Sequence, residues 1–313
     1  MIITVTMSPA LDKTARVQTL RPGGLNRFTE VVTGAGGKGV NVSKMIAVLG
    51  GSSLATGFSG GGAGAEIERT LRGLGVQTDF VRTSHPTRTN LKVLSKDFGV
   101  TEFNEPGPVV SPGEMEALTE KLIGRAKPGA IFVLAGSLPQ GADADTYRRL
   151  TGMLRRKGAA VFLDADGQAF GRALDASPDF IKPNKFELAQ YFERGEDLSL
   201  SECAILCRTL TARGIGMVAL SMGGQGALFV SREETLYAPG LPVKVRSTVG
   251  AGDCMVGGFA FAREAGMGFR DAAALAMAAS AGAATTPDTT PPSREAVGDL
   301  LKLVTFESGG LQP

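Results

Sequence analysis

Short apolar runs alternate with longer helical segments along most of this 313-residue chain. Such runs are too short for helices and are rich in β-branched residues, which predicts strands buried on both faces. Strands that alternate with helices pack as a mostly parallel sheet covered by helices, so the predicted class is α/β. The predicted strands are 2–7, 53–58, 130–136, 160–165, 180–184, 217–223 and 226–231, and the predicted helices follow Gly39, Ala63, Ser111, Ala144, Lys185, Ser199, Gly252, Phe269 and Ser293.

Two segments break this alternation. Residues 13–33 are divided by the turn sequence RPGG, and residues 87–107 by the turn sequence KDFG. Their apolar and polar residues are mixed as in half-exposed hairpins. We therefore expect a small β-sheet that forms a lid on the main body, with an exposed apolar side that offers a homodimer contact. The whole chain, 1–313, is predicted to be one α/β domain, and the segment from Glu307 is expected to be loose.

Composition argues against several functions. With His85 as its single histidine, the chain is a poor candidate for a Ser-His-Asp hydrolase or a multi-histidine metal site. The three cysteines are too few for a zinc cluster and odd in number, which indicates a reducing, cytoplasmic location without a disulfide framework. A net charge of +2 gives no reason to expect nucleic acid. The chain has neither a basic leader nor an apolar stretch of about 18 residues, so we expect neither secretion nor membrane spanning.

A first glycine-rich segment, 34–39, matches the dinucleotide pattern G-x-G-x-x-G but lies in the wrong context. It follows a predicted hairpin instead of the first core strand, and residues 52–64 contain no acidic residue to bind a ribose. The chain also lacks the phosphate-binding pattern G-x-x-x-x-G-K-[ST]. The segment is interpreted as a turn with Lys38 at its apex that opens a helix, which can bind an anion or a sugar phosphate. The alternative is a plain tight turn.

A second glycine-rich segment runs from Gly250 through Ala251 and Gly252 to Asp253. Small residues leave backbone amides uncovered where a helix begins, so these amides can face a developing negative charge. A carboxylate in the first turn of that helix can accept a proton from a bound hydroxyl. The alternative is that Asp253 only caps the helix.

These two segments, in this order, resemble the two signatures of the PfkB (ribokinase-like) carbohydrate kinases. Further motifs between them follow the family order: 136–139 (GSLP), 182–188 (KPNKFEL) and 221–227 (SMGGQGA). Segments 8–12 (SPALD), 37–42 (GKGVNV), 87–90 (TRTN) and 101–104 (TEFN) resemble the phosphosugar-kinase branch of the family, especially the 1-phosphofructokinases. The resemblance covers essentially the whole chain and implies a ribokinase-like fold.

The resemblance implies an activity as well: Mg·ATP-dependent phosphorylation of a ketohexose phosphate, most simply D-fructose 1-phosphate at C6, giving fructose 1,6-bisphosphate. Tagatose-6-phosphate kinase and 6-phosphofructokinase are alternatives inside the family. A non-catalytic sensor of a sugar phosphate or nucleotide is the alternative outside it. An intact Asp253 speaks against a sensor, which needs no base.

Site residues are assigned by the same resemblance. Asp253 is expected to be the base, and the amides of Gly250, Ala251 and Gly252 the anion hole. The expected sugar contacts are Asp12, Gly37, Asn41 and Ser137. A substrate that already carries a phosphate needs cations, and Lys38 and Arg88, with Arg27 as a third, are the candidates; the alternative is that they are ordinary solvated charges. The nucleotide contacts are expected to be Lys182, Asn184, Lys185, Ser221, Gly223, Gly226 and Ser247, and the Mg²⁺ ligands Glu187 and Asp164.

The chain departs from the family pattern at residues 285–292, which read TTPDTTPP after an alanine-rich helix. The family often has a glycine- or asparagine-containing loop beside the adenine at this point. Two consecutive prolines stiffen the segment and remove amide donors. A smaller departure is Ser8, where the family usually has asparagine before Pro9.

Overall fold

The structure is a computed structural model that describes residues 1–307. The strands of this part are β1 Ile2–Thr6, β2 Ala10–Arg16, β3 Glu30–Gly36, β4 Ser53–Ser59, β5 Gln77–Thr78, β6 Val81–Arg82, β7 Arg88–Ser95, β8 Gly99–Asn104, β9 Ile131–Ala135, β10 Ala160–Asp164, β11 Phe180–Ile181, β12 Val218–Ser221, β13 Gly226–Val230 and β14 Thr235–Pro239. The helices are α1 Lys38–Val48, α2 Gly61–Gly73, α3 Pro112–Arg125, α4 Thr146–Arg156, α5 Gly167–Leu174, α6 Lys185–Tyr191, α7 Leu200–Ala212, α8 Ala251–Glu264, α9 Phe269–Ala284 and α10 Arg294–Leu301.

A large sheet forms the centre of the molecule, with the strand order β14-β13-β12-β11-β10-β9-β1-β4-β5, and β6 pairs with β4. Pairing is parallel from β5 to β12 and antiparallel only at β12–β13 and β13–β14. Side chains of one strand alternate between two apolar layers: Phe132 and Leu134 of β9 belong to one, Ile131 and Val133 to the other. Burial on both faces is what continuous apolar runs predict, and the predicted α/β class is confirmed.

A separate sheet of four strands has the order β3-β2-β7-β8. Its inner pair, β2 and β7, is parallel and aligns Asp12 with Asn90 and Thr14 with Lys92. Because side chains alternate along a strand, these four polar groups project from the same face of the sheet. The expected small sheet is therefore present, but it begins at residue 10, so Asp12 lies within a strand and not in the loop after β1.

Several local predictions need correction. Helix α5 and strands β5, β6 and β14 were not predicted from the sequence. Residues 34–36 belong to strand β3, so only the second half of the first glycine-rich segment is a turn. Glu307 is not loose, because its amide donates a hydrogen bond to the Tyr237 carbonyl oxygen at 2.9 Å. The remainder of that predicted tail, 308–313, lies outside the described residues. None of the helices within residues 1–307 is long and apolar enough to cross a membrane.

Candidate active site

Four adjacent strands of the large sheet end side by side. Parallel register places Thr6 of β1 beside Ala135 of β9, and Ala135 beside Asp164 of β10. Strand β11 follows next, and Lys182 comes directly after its last residue. Ligands of open α/β sheets bind at the carboxyl ends of the strands, so this edge is the expected place for a site.

The predicted anion hole lies at the beginning of α8. Gly250 has φ 81°, a left-handed conformation that glycine adopts without strain. The Lys182 amine comes within 2.9 Å of the position that a Cβ atom on Gly252 would occupy. The first amides of a helix lack partners within the helix. Here they share their surroundings with a buried ammonium group, which suits an anion.

Asp253 is buried in the first turn of α8, where its Oδ2 accepts a hydrogen bond from Asn41 Nδ2 at 2.8 Å. Within residues 1–307, no side-chain hydrogen bond caps α8, so Asp253 does not cap this helix through a hydrogen bond. Burial and the negative charge of Asp164 raise the pKa of Asp253 to about 6, against the opposing effects of Asn41, Lys38 and Lys182. A base with this pKa is ionised at neutral pH and still able to hold a proton.

Asp164 lies between two lysines. Its Oδ1 atom is 3.0 Å from Lys38 Nζ and 3.7 Å from Lys182 Nζ, and the carboxylate is 1% exposed. Burial alone would lower the pKa of Lys38, but the carboxylates of Asp164, Asp253 and Glu187 raise it above its ordinary value. Lys38 therefore keeps its charge beside Asp164 and Asp253. The Lys38 amine thus contacts Asp164, and the predicted role of Lys38 and Arg88 as the cations that bind the substrate phosphate stays a prediction.

The small sheet supplies the other wall. Asp12 Oδ1 accepts a hydrogen bond from Asn90 Nδ2 at 2.9 Å, and burial raises the pKa of Asp12 against the opposing effect of Asn90. A Cβ atom on Gly36 would lie 2.1 Å from Asp12 Oδ2, so the glycine permits this carboxylate to keep its position. Arg88 donates a hydrogen bond from Nη2 to the Ser8 carbonyl oxygen at 3.3 Å, which places it next to the end of β1.

The remaining predicted sugar contacts differ in their surroundings. Gly37, with φ 111°, lies against Thr6 and Pro9, where a Cβ atom would be 2.8 Å from Thr6 Cγ2. Ser137 follows β9 and is exposed, and Arg27 is exposed in the hairpin loop between β2 and β3. None of the hydrogen bonds and ion pairs of Asp253, Asp164, Lys38 and Lys182 within residues 1–307 involves either of them, so their roles stay predictions.

Buried polar atoms without a hydrogen-bond partner gather here. Within residues 1–307 they include Asn41 Oδ1, Arg88 Nε, Asn90 Oδ1 and Asp164 Oδ2, whereas two others, Thr6 Oγ1 and Thr151 Oγ1, have no predicted role. Buried polar groups normally have partners, and exceptions call for an explanation. A polar, charged ligand such as a sugar phosphate supplies such partners.

The predicted nucleotide side shows one unexpected arrangement. Asn184 Oδ1 accepts from the Glu187 amide, and Glu187 Oε2 accepts from the Asn184 amide, each at 2.8 Å. This reciprocal pair is a capping box that begins α6. The N-x-x-E spacing therefore has a structural role that the sequence interpretation missed.

The other nucleotide candidates have different surroundings. A cavity of about 300 Å³ has Lys185, Met222 and Gly224 in its wall. Gly223 has φ 58° and open space around it, whereas a Cβ on Gly226 would lie 2.0 Å from the Ala238 carbonyl oxygen. The glycine at 226 therefore permits close packing of β13 on β14. Ser221 donates from its amide to the Pro183 carbonyl oxygen at 3.0 Å, and Ser247 Oγ accepts from the Val249 amide at 3.2 Å.

Sequence reasoning missed three polar residues of the site: Lys44, Asn90 and Lys92. Lys92 is 13% exposed and lies 3.8 Å from Asp288. Asn90 and Lys92 follow Arg88 at intervals of two, a strand period that marks one face. Lys44 follows Lys38 and Asn41 at intervals of three, a helical period. These spacings were the available signals.

Comparison with known proteins defines the class. The family model for pfkB family carbohydrate kinases matches residues 6–296. The chain belongs to this family, so it is a phosphotransferase that acts on a sugar hydroxyl, and the family uses ATP as its phosphoryl donor. The expected ribokinase-like fold and the expected enzyme class are confirmed.

Two relatives and one solved structure show which members of the family the chain is similar to. A 1-phosphofructokinase from Rhodobacter capsulatus is 36% identical over 312 residues, which cover 98% of each chain. A D-tagatose-1-phosphate kinase from Bacillus licheniformis is 34% identical over 304 residues, covering 97% of this chain and 96% of that protein. Phosphofructokinase-2 from Escherichia coli, solved with substrates and products, superposes with a TM-score of 0.91 at 30% identity and covers 97% of this chain and 99% of that one.

Proposed function

We propose that the protein phosphorylates D-fructose 1-phosphate at C6 with ATP, giving fructose 1,6-bisphosphate. The observation that carries this proposal is the position of Asp253, hydrogen-bonded to Asn41 at the start of α8 and next to two lysines that share Asp164. The similarity to 1-phosphofructokinases over nearly the full chain supports this substrate. A sensor has no need of a buried base in such surroundings.

The proposed reaction uses Asp253 as general base. The C6 hydroxyl gives its proton to the Asp253 carboxylate as its oxygen forms a bond to the γ-phosphorus of ATP. The bond from that phosphorus to the bridging oxygen breaks, and ADP leaves with the electron pair. The amides of residues 250–252 and the Lys38 and Lys182 ammonium groups stabilise the negative charge on the moving phosphoryl group.

The metal requirement is part of the proposal. Mg²⁺ needs only one or two carboxylate ligands and keeps several waters. Asp164 Oδ2 is buried without a hydrogen-bond partner, so a hard cation fits there, and Glu187 has one oxygen committed to the α6 cap. Bound Mg²⁺ would neutralise the phosphate oxygens of ATP. Glu187→Gln should raise the Mg²⁺ concentration for half-maximal rate more than the sugar KM; a change in sugar KM alone would remove Glu187 from the metal site.

Substrate recognition is proposed to begin at the small sheet. The positive charges of Arg88 and Lys92 attract the phosphate on C1. Asp12 accepts hydrogen bonds from sugar hydroxyls, and Asn90 can both donate to them and accept from them. D-tagatose 1-phosphate is a second candidate, because the chain matches the Bacillus licheniformis enzyme over almost all of its length. The two sugars carry the same C1 phosphate and differ at C4.

An ADP-release assay with five sugars tests the proposal: fructose 1-phosphate, tagatose 1-phosphate, fructose 6-phosphate, tagatose 6-phosphate and fructose. We expect kcat/KM for fructose 1-phosphate to exceed that for fructose 6-phosphate at least about tenfold, which corresponds to about 1.4 kcal/mol. A preference for either 6-phosphate would overturn the proposed substrate and leave the kinase class intact.

We also propose a cytoplasmic location and a homodimer formed through the small sheet. Seven large apolar side chains of this sheet and its loops are exposed, each by at least 49%: Leu25, Phe28, Val31, Val32, Phe98, Val100 and Phe103. Exposed apolar patches mark contact surfaces. Light scattering should give a dimer for the wild type and a monomer for V32E/F103E; a monomeric wild type would contradict the dimer.

A further inference from the structure

Lys44 is a buried cation with neutral partners. Its side chain is 6% exposed, and Nζ donates to the carbonyl oxygens of Ala35 at 2.8 Å and Thr289 at 2.9 Å. Among residues 1–307 no carboxylate lies within ion-pair distance of it. A buried ammonium without a carboxylate is costly, and an apolar side chain would pack the same space at lower cost. The position of this lysine therefore calls for a function.

The two carbonyl oxygens belong to opposite walls of the site. Ala35 lies in β3 directly before Gly36, the residue packed on the Asp12 carboxylate. Thr289 lies in the TTPDTTPP segment, and its Cα is 3.7 Å from where a Cβ atom on Gly250 would be. One ammonium group thus joins the sugar-side strand to a loop that packs on the anion hole. This is the segment at which the chain departs from the family pattern.

Helix α1 carries Lys44 together with the residues that contact Asp164 and Asp253. Lys38, Asn41 and Lys44 follow one another at intervals of three residues and share one side of the helix. Lys38 contacts Asp164 and Asn41 contacts Asp253. If loop 285–292 moves relative to Lys44, it therefore also moves relative to Asp253 and the amides of residues 250–252.

We propose that Lys44 is a positioning residue for phosphoryl transfer, which holds loop 285–292 and the end of β3 against the catalytic groups. The inference rests on the proposed function. Preorganised amides stabilise a transition state only when they are held in place, and small displacements cost large factors in rate. Loss of the ammonium should therefore affect turnover more than substrate binding.

The test compares K44M and K44R with wild type and with K157M, which removes an exposed lysine at the end of α4 as a matched control. We expect K44M to lower kcat about 10- to 100-fold with each KM within about threefold, and K44R to recover at least part of kcat. Hydrogen exchange of the 285–292 amides should be faster in K44M and unchanged in K157M. A folded K44M with wild-type kcat, or with unchanged exchange in that loop, would overturn the inference.

A pH profile decides the matter if K44M does not fold. Burial lowers the pKa of Lys44 to about 8, against the opposing effects of Cys254, Asp12 and Asp253, the titratable groups that face it. Burial raises the pKa of the Cys254 thiol to about 12, so this thiol stays neutral near pH 8. Wild-type kcat should therefore decline above about pH 8, and K44R, which stays charged, should move this limb to higher pH. Identical alkaline limbs would count against a role for Lys44.

Failure of this inference can be told from failure of the proposed function. A wild-type protein that phosphorylates no ketohexose phosphate would overturn the proposed function and the positioning role together, and loop exchange in K44M would still measure the anchor itself. An active wild type with an equally active, folded K44M overturns the positioning role alone.

Discussion

The two sheets of the molecule differ in burial. Every residue of β1, β4 and β9 is buried, whereas β8 has no buried residue and β7 has one. The large sheet places the groups for chemistry, Asp164, Lys182 and Asp253, at the ends of packed strands and at the helix that covers them. The small sheet places Asp12, Arg88 and Asn90 on its polar face. Under the proposed function, the chemistry depends on the buried large sheet, and the choice of substrate depends on the more exposed small sheet.

The largest expected effect on turnover comes from a substitution beside the large sheet. Asp253→Asn should lower kcat at least about a hundredfold and leave ATP and sugar-phosphate binding nearly unchanged, because general bases contribute about 10²–10⁴ in rate. Steady-state kinetics and calorimetric binding measure both quantities. Turnover close to that of the wild type would contradict the role of Asp253 as the base and, with it, the assignment of the chemistry to the large sheet.

The thermal stability of this variant is its control. Because the pKa of Asp253 is raised in the folded state, the unfolded chain releases this proton at lower pH, and the ionised carboxylate costs stability at pH 7. Asp253→Asn should therefore keep Tm equal to wild type or raise it. A lower Tm would show that the loss of rate includes misfolding.

On the small sheet, Arg88→Ala should lower kcat/KM for phosphosugars about 10- to 100-fold, since charge-assisted hydrogen bonds contribute about 1.5–3 kcal/mol each. An unphosphorylated ketose should change little. Arg88→Lys is the matched control: it keeps the charge without the two parallel donors and should lie between Ala and wild type. Equal losses for phosphorylated and plain sugars would remove Arg88 from the phosphate site.

The pH dependence of turnover should also come from a group beside the large sheet, Asp253. With a pKa of about 6, Asp253 becomes protonated below that pH, so kcat at saturating substrates should fall as pH decreases through it. Asn41→Leu removes the hydrogen bond that lowers this pKa, and the acid limb should then move to higher pH. An unmoved limb in this variant would assign the limb to another group, such as the substrate phosphate.

The smallest expected effect concerns the tie between the small sheet and loop 285–292. Asp288 Oδ2 accepts from Thr14 Oγ1 at 2.9 Å, and Lys92 is 3.8 Å from Oδ1. Asp288→Asn removes only the charge, and asparagine tolerates the φ of 51° at this position. Partly exposed ion pairs contribute about 0–1 kcal/mol, so sugar KM should change less than about fivefold. A tenfold change would mean that this tie governs substrate binding.

Some elements of the fold could be predicted from the sequence and others could not. Continuous apolar runs such as 130–136 specify strands of the large sheet without ambiguity. Helix α5 was missed because it is only eight residues long and contains Gly167 and Gly171, which are poor helix formers, although its buried residues Phe170, Ala173 and Leu174 have helical spacing. Strand β14 was missed because its five residues follow a short charged turn and depend on pairing with β13.

The predicted roles of Asp253 and Asp164 come from motifs and stay predictions, and the structure places both side chains beside Lys38 and Lys182. The direction of a side chain was not predictable, because the sequence places Lys38 at the start of a helix but cannot show that its amine contacts Asp164. The capping pair of Asn184 and Glu187 has the sequence signature of a cap, which an interpretation directed at metal binding left aside. The role of Lys44 depends on Thr289, 245 positions away.

The parallel pairing of β2 with β7 has a consequence for the order of folding. Asp12 and Asn90 are neighbours across 78 positions of chain, and contacts of such long sequence separation form slowly because the intervening loop must first be closed. Helix α1, strand β4 and helix α2 lie within that span, so their folding shortens the loop. Pulse-labelled hydrogen exchange should show protection of β1 and β4 before β7. The contacts that join Lys38 to Asp164 and Asn41 to Asp253 span 126 and 212 positions. By the same reasoning, a newly made chain would complete the small sheet before the edge that holds Asp164 and Asp253.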